Sequence, residues 1–161
     1  MTYKIIDNAL PHNDFIRIQS TMLNGGTGFP WYYAGRVNLL DKENYYLVHN
    51  FFKHNAVRSD FFEMIQPILF LLQPKAIVRI KGNFYPSSES LITHPMHTDF
   101  GYEHIGAIYY VNDNDGFTIL EDGTKIESVA NRLLIHKPHL LHCSTNCTDK
   151  HSRVNINFNY F

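Results

Sequence analysis

His97-Thr98-Asp99, followed 43 residues later by His142 and then by Arg153, is the grouping in this chain with the most chemistry in it. In an extended segment, residues two apart project to the same side with Cα atoms ~6.6 Å apart, about the reach at which two ligands meet on one ion. A third ligand must come from elsewhere, and His139 and His142 are the candidates. Imidazole and carboxylate together suit Fe(II), Mn(II) or Zn(II) better than calcium or magnesium. Two histidines and one carboxylate on one face of the ion leave the opposite face open, the arrangement of non-haem iron sites that activate dioxygen.

A His-x-Asp pair alone is common by chance and often only a surface hydrogen-bonded pair. Here the later histidine, the arginine and the β-rich surroundings favour a site. His142 precedes Arg153 by ten intervening residues, enough for one turn between adjacent antiparallel strands, and is the preferred third ligand. His139 follows Pro138 and belongs to a connection, whereas His136 ends the Leu133-Leu134-Ile135 run and reads as a packing residue. His94 either supports a ligand or lies on the surface. Cys143 and Cys147 beside His139 and His142 raise a zinc alternative. Structural zinc usually takes two well-separated ligand pairs; these four residues crowd into nine positions, and Cys143 reads instead as a small strand-filling residue.

Arg153 adds a second function. A guanidinium grips a carboxylate through two parallel hydrogen bonds, so Arg153 is the candidate anchor for a dicarboxylate co-substrate beside the metal. Tyr110 and Tyr85 are candidates to give a hydroxyl to the same carboxylate, with core packing as the competing role for each.

These residues need rigid elements behind them. Tyr3 to Ile6 reads as a short strand. Asn13 is the expected cap of a helix with Phe15, Ile18 and Met22 on its apolar face, stopped by Asn24-Gly25-Gly26. Trp31 to Tyr33 reads as a second strand. Ser59 is the expected cap of a helix carrying Phe61, Phe62, Ile65, Ile68, Leu69 and Leu72, kinked at Pro67. From residue 76 the period changes. Ala76 to Ile80, Gly106 to Asn112, Phe117 to Leu120, Arg132 to His136 and Arg153 to Tyr160 are strand-like runs, with turn signals at 85–88, 112–116 and 121–123. Helices first and strands after predict a mainly β, double-sheet jelly roll with N-terminal helices braced on one sheet. In the last strand Val154, Ile156, Phe158 and Tyr160 share one face, and Arg153, Asn155, Asn157 and Asn159 the other, which must meet either a ligand cavity or solvent.

Composition narrows the function classes. The chain has 161 residues, the length of one domain over 1–161, with 44% hydrophobic and 14% aromatic residues. Fourteen basic and 15 acidic residues leave a net charge of −1, without the basic footprint that nucleic acid or an anionic membrane demands. Two cysteines make no disulfide framework. The longest apolar stretch, Ile65 to Leu72, is too short to span a bilayer and no secretory signal is visible, so a cytoplasmic location is expected. Six of the ten histidines fall within one 49-residue stretch, His94 to His142.

Taken in order and spacing, His97-Thr98-Asp99, Ile108-Tyr109-Tyr110-Val111-Asn112, Gly116-Phe117-Thr118, Asn131-Arg132-Leu133-Leu134-Ile135, His142 and Arg153-Val154-Asn155-Ile156-Asn157-Phe158 resemble the 2-oxoglutarate/Fe(II) dioxygenase superfamily. The resemblance is to its prolyl-4-hydroxylase-like branch, especially small stand-alone members of phage and marine bacteria. Upstream, Arg79 to Pro86 and Phe29 to Tyr33 also look like this branch, so nearly the whole chain is covered. Asn131 departs from a usual glycine and His136 from a usual apolar aromatic.

The resemblance implies a double-stranded β-helix in which His97, Asp99 and His142 bind Fe(II). It gives Arg153 and Tyr110 the far carboxylate of 2-oxoglutarate and makes Tyr85 a pocket wall. It further implies O₂ as oxidant, ascorbate as an optional reductant, and release of succinate and CO₂ as a C–H bond is hydroxylated. The expected substrate is peptidyl, with prolyl the first candidate, or a small molecule. Trp31, Phe100 and Tyr102 are candidates for the substrate mouth, and residues 86–94 for a lid. Two other readings stand beside this one: nucleic-acid dealkylation, disfavoured by the charge balance, and a non-catalytic cupin-type metal-binding barrel, which has no need of Arg153.

Overall fold

The computed structural model describes residues 3–41 and 44–161. Its strands are β1 (Tyr3–Ile6), β2 (Tyr32–Ala34), β3 (Tyr46–Lys53), β4 (Ala56–Val57), β5 (Ile77–Pro86), β6 (Ile105–Tyr110), β7 (Asn114–Leu120), β8 (Lys125–Ser128), β9 (Arg132–His136), β10 (His142–Ser144) and β11 (Ser152–Tyr160). Two α-helices, α1 (His12–Leu23) and α2 (Gln66–Leu72), precede most of the strands. The major sheet runs β1-β9-β6-β11-β5-β3-β2, with β4 on β3, and the minor sheet runs β10-β7-β8. All pairings are antiparallel. This is the expected double-stranded β-helix with helices on one sheet.

The two-faced last strand explains the layering. Val154, Ile156, Phe158 and Tyr160 pack against Ile18, Met22, Ile65 and Ile68 from the helical layer, forming the main core. The opposite face of β11 is also buried, at Arg153, Asn155 and Asn159, and looks into the space between the sheets. Where the minor sheet closes over β6 and β9, Ile108, Tyr110, Leu120, Ile126 and Leu134 make a second, smaller core. The rest of that space stays polar and forms the pocket.

Several local expectations are corrected. Helix α1 begins at His12 after Pro11, and no side chain caps it, so Asn13 lies inside the first turn. Pro11 at the N-cap offers no side-chain acceptor; its fixed φ sets the chain direction, and its carbonyl accepts the first helical bond, from Phe15 N–H (3.1 Å). Pro67 does not kink a continuous helix. A 3-10 turn at Phe62–Ile65 precedes it, and α2 starts with Pro67 in its first turn, where a missing N–H costs least. Ser59 Oγ does accept the Phe61 N–H (3.0 Å). The second strand holds Tyr32–Ala34, leaving Trp31 in the core between Phe29 and Phe84, with its indole N–H on the Met22 carbonyl (3.2 Å). Trp31 is therefore no part of a substrate mouth.

Asn131 has φ 61°. This left-handed conformation explains an asparagine where glycine is usual, since asparagine tolerates it better than most residues. Its side chain also accepts from the Leu10 N–H (3.0 Å) and Tyr109 Oη (2.9 Å) and donates to the Leu10 carbonyl (2.9 Å), tying α1's approach to the sheet. No described helix is long and apolar enough to cross a membrane.

Candidate functional site

His97, Asp99 and His142 come together although they lie on different elements. His97 and His142 exchange both backbone hydrogen bonds, each 2.9 Å, so their side chains leave the same side of the ladder. The segment carrying His97 and Asp99 thus extends the minor sheet beyond β10, with His94 N–H on the Ser144 carbonyl (2.9 Å) and Asp99 N–H on the Pro138 carbonyl (2.9 Å). The imidazole centroids of His97 and His142 are 4.7 Å apart. One ligand atom from each of His97, Asp99 and His142 lies within 4.8 Å of the others. His139 stays in the turn after Pro138, as expected.

The protonation states suit metal ligands. His142 Nδ1 faces the Leu140 carbonyl (3.1 Å) and His97 Nδ1 the Pro95 carbonyl (3.3 Å). In the tautomer that donates Nδ1–H to these carbonyls, Nε2 keeps the free lone pair; Asn38 Nδ2 also lies 3.4 Å from His97 Nδ1. Burial pushes the His97 pKa down to about 4, helped by the adjacent His142. Asp99 is held in its anionic form: although burial opposes ionisation, Arg79 and then His142 and Asn159 carry its pKa well below the carboxylate range. Arg79 Nη2 donates to Asp99 Oδ1 (2.9 Å) and Asn159 Nδ2 to Asp99 Oδ2 (2.8 Å).

Arg153 is 0% exposed. Its Nε donates to Ser128 Oγ (2.7 Å), Nη2 to Thr118 Oγ1 (3.0 Å) and Nη1 to the Thr145 carbonyl (3.3 Å). Its Cζ lies 5.4 Å from the Tyr85 ring centroid and 5.7 Å from that of Tyr110, within cation–π range. Among the described residues no carboxylate lies within 4 Å of it. Gly116 makes this seat: a Cβ there would stand 2.6 Å from Arg153 Cδ and 2.2 Å from the Asn146 carbonyl oxygen. Tyr110 Oη donates to Thr118 Oγ1 (2.8 Å), joining the cluster, and Tyr85 stacks between Tyr46 and His94.

One pocket is lined by Tyr85, His97, Asp99, Thr118, His142 and Asn157 among others, and Arg153 lies directly behind its Tyr85 and Thr118 walls. Ser144 Oγ and Asn157 Oδ1, both on its wall, are buried without a hydrogen-bond partner among the described residues. Such atoms are costly unless something fills the pocket.

The route to this arrangement differs from the expected one. His142 and Arg153 are not on adjacent strands: β10 pairs with β7, whereas β11 lies between β5 and β6 in the other sheet. His94 is buried, with Nδ1 2.9 Å from Asp41 Oδ2. His136 is buried too, its ring 5.0 Å from that of His142, and occupies space an aromatic would fill. Residues 86–94 are tied to the 144–151 stretch by bonds from Ser87, Ser88, Ile92 and His94 N–H groups, so they are an integral edge. Phe100 lies under the Arg79 guanidinium (4.9 Å) and stacks with Tyr102, close to the site. Sequence reasoning gave no role to Arg79, Lys81, Thr118 or Asn159. For Arg79, Lys81 and Asn159 the signal available was their place on the polar face of strands with period-two alternation, whereas Thr118 shares its face with the apolar Leu120 and gave none.

No protein-family model matches the sequence, and no curated protein is significantly similar to it. Solved structures do align along its length. A prolyl-4-hydroxylase from Pseudomonas putida superposes at TM-score 0.66 and 13% identity, over 99% of this chain and 92% of that one. A Trichoplax adhaerens prolyl hydroxylase, solved with a peptide fragment of the hypoxia inducible factor oxygen degradation domain, gives 0.72 and 14%, over 99% and 83%. The viral collagen prolyl hydroxylase of Paramecium bursaria Chlorella virus-1, in its 2-oxoglutarate complex, gives 0.61 and 13%, over 99% and 95%. This chain has the fold of the 2-oxoglutarate/Fe(II) oxygenases, prolyl-4-hydroxylases among them.

Proposed function

We propose that this protein is an Fe(II)- and 2-oxoglutarate-dependent oxygenase that hydroxylates a C–H bond of a peptidyl or small-molecule substrate. The observation that carries the reading is Arg153: a fully buried guanidinium without a carboxylate partner among the described residues, packed against the walls of the pocket that holds the His97, Asp99 and His142 donors. A buried charge is expensive unless paired, and a dicarboxylate bound there supplies the pair. A metal-binding barrel of cupin type has no use for such a residue.

The donor set fits Fe(II), with the imidazole Nε2 atoms free and the Asp99 carboxylate anionic. The orphaned Ser144 hydroxyl on the pocket wall supports 2-oxoglutarate as the occupant, since it is free to donate to one of that molecule's oxygens. Once bound, iron and 2-oxoglutarate together supply oxidative decarboxylation, giving succinate and CO₂ and directing oxygen to the substrate C–H bond. The chain's own contribution is positional. Arg79 and Asn159 fix the Asp99 carboxylate, the Pro95 and Leu140 carbonyls fix the histidine tautomers, and Arg153 with Thr118 fixes the far end of the co-substrate. Tyr85 and Tyr110 wall the guanidinium off from water.

Anaerobic titration with Fe(II), with and without 2-oxoglutarate, tests this directly. A weak visible charge-transfer band that needs both components is expected. Metal binding without that band would favour the barrel reading.

A further inference from the structure

We propose that the substrate of this site is an acid with an aliphatic body, and that Lys81 seats its anionic head. Calling the occupant a substrate rests on the oxygenase reading; the anion site itself does not. Lys81 lies on the inward face of β5, in line with Arg79 and Tyr85, and opposite Asn157 of β11. Its ammonium donates to Tyr46 Oη (2.9 Å) and sits 5.2 Å from the Tyr46 ring centroid. An ammonium carries three donors, and this is the one hydrogen bond Nζ makes among the described residues. No described carboxylate lies within 4 Å of it. The neighbouring cation cannot serve in its place, because Arg79 is committed to Asp99 and Asn159.

Position decides which molecule Lys81 meets. Lys81, Val37, His97 and Asp99 line the inner pocket and also an outer cleft opening toward solvent, whereas Tyr85, Thr118 and Asn155 line the inner pocket alone of the two. Lys81 therefore stands where a molecule entering from outside reaches the metal donors. Among the described residues of that outer cleft, Arg36, Arg79 and Lys81 stand against a single carboxylate, Asp99. Its apolar surface comes from Val37, Leu39, Leu40, Met96 and Leu141. Leu39 and Leu40 are 77% and 66% exposed, yet their loop is pinned over His97. Asn38 Nδ2 donates to the Pro95 carbonyl (2.9 Å), Asn38 Oδ1 accepts from Leu40 N–H (2.9 Å), and Asp41 pairs with His94. An aliphatic wall beside an ammonium without a carboxylate partner among the described residues complements an acid with an aliphatic body. An uncharged residue inside a peptide would leave Lys81 without its counter-ion.

Three probes with one tail and different heads test this: hexanoate, hexanol and hexylammonium, titrated into isotope-labelled protein and followed by amide chemical shifts. Hexanoate should shift the Lys81, Leu40 and Met96 amides saturably, with the other two binding at least tenfold more weakly. Lys81→Met should weaken hexanoate at least tenfold while its spectrum stays dispersed. Saturating 2-oxoglutarate and Zn(II) should leave the hexanoate shifts in place. Equal binding of the three probes, or no loss in the Lys81 variant, overturns the proposal. Displacement of hexanoate by 2-oxoglutarate overturns it too, because Lys81 then belongs to the co-substrate. If the Fe(II) charge-transfer band fails while Lys81-dependent hexanoate binding persists, the oxygenase reading falls and the anion site stands.

Discussion

Replacing Arg153 with methionine should weaken co-substrate binding by about two orders of magnitude or more while leaving the unliganded fold intact. Two charge-assisted hydrogen bonds to a carboxylate are worth about 1.5–3 kcal/mol each, so losing both weakens 2-oxoglutarate by at least about 100-fold. Against this, the unliganded protein gives up three bonds, to Ser128, Thr118 and Thr145, but also sheds an unpaired buried charge. Ser128 Oγ and the Thr145 carbonyl each lose a partner, at about 1 kcal/mol apiece, offset by removal of the unpaired charge, and Thr118 Oγ1 keeps its bond from Tyr110 (2.8 Å). The net change in folding free energy should stay within about 2 kcal/mol.

Thermal unfolding with Zn(II) present separates the two effects. At a 2-oxoglutarate concentration 100 times its Kd, ligand linkage stabilises the native protein by about 2.7 kcal/mol, and after a 100-fold loss by about 0.4 kcal/mol. For a chain of this size that is a Tm increase of about 5–10 °C falling to about 1 °C. A full ligand-induced shift in the methionine variant would refute the clamp. An unfolded variant would make Arg153 a strut of the fold.

Other perturbations probe the supporting shell. Arg79→Met removes the bond that orients Asp99 Oδ1, and calorimetric titration should show divalent-metal affinity falling by about 10–100-fold with the far-ultraviolet spectrum unchanged. Asn131→Gly should cost about 2–4 kcal/mol in urea denaturation, through its three lost buried bonds. Asn131→Ala should cost about 1–2 kcal/mol more, because φ 61° penalises a Cβ; equal losses would remove the backbone from the explanation. Burial, reinforced by His142, lowers the His136 pKa to about 3, so on acidification the unfolded chain takes up that proton first. This contribution is fully present above pH about 6.5 and is lost as pH falls toward 3. Between pH 7 and 5 the metal-free protein should lose about 2 kcal/mol to this group, and His136→Phe should flatten that part of the urea-derived profile.

What was legible in the sequence follows from how the layers are built. On β11 the alternation is strict, apolar toward the helices and polar toward the pocket, so both its strand character and the inward path of Arg153 could be read. Strand β3 hid because neither of its faces is purely apolar: His49 points to the helical side, bonding Pro30 and Ser59, while Tyr46 faces the polar interior. Strand β10 is three residues long, too short for any period, and β8 is four. Lys81 passed unnoticed because a polar residue alternating with Ile80 and Gly82 reads as solvent-facing until a second sheet lies over it. The placement of His142 beside Arg153 failed for a related reason. The chain between them crosses from the minor to the major sheet, where a single hairpin had been expected. On the oxygenase reading proposed above, that crossing is what the chemistry would require. Adjacent strands of one sheet would set His142 and Arg153 side by side on one wall, whereas opposed sheets put the metal donors of the 97–142 ladder across the pocket from the cations of β5 and β11. A molecule anchored on the major sheet can then reach an ion held from the minor one, a relation no single strand's pattern contains.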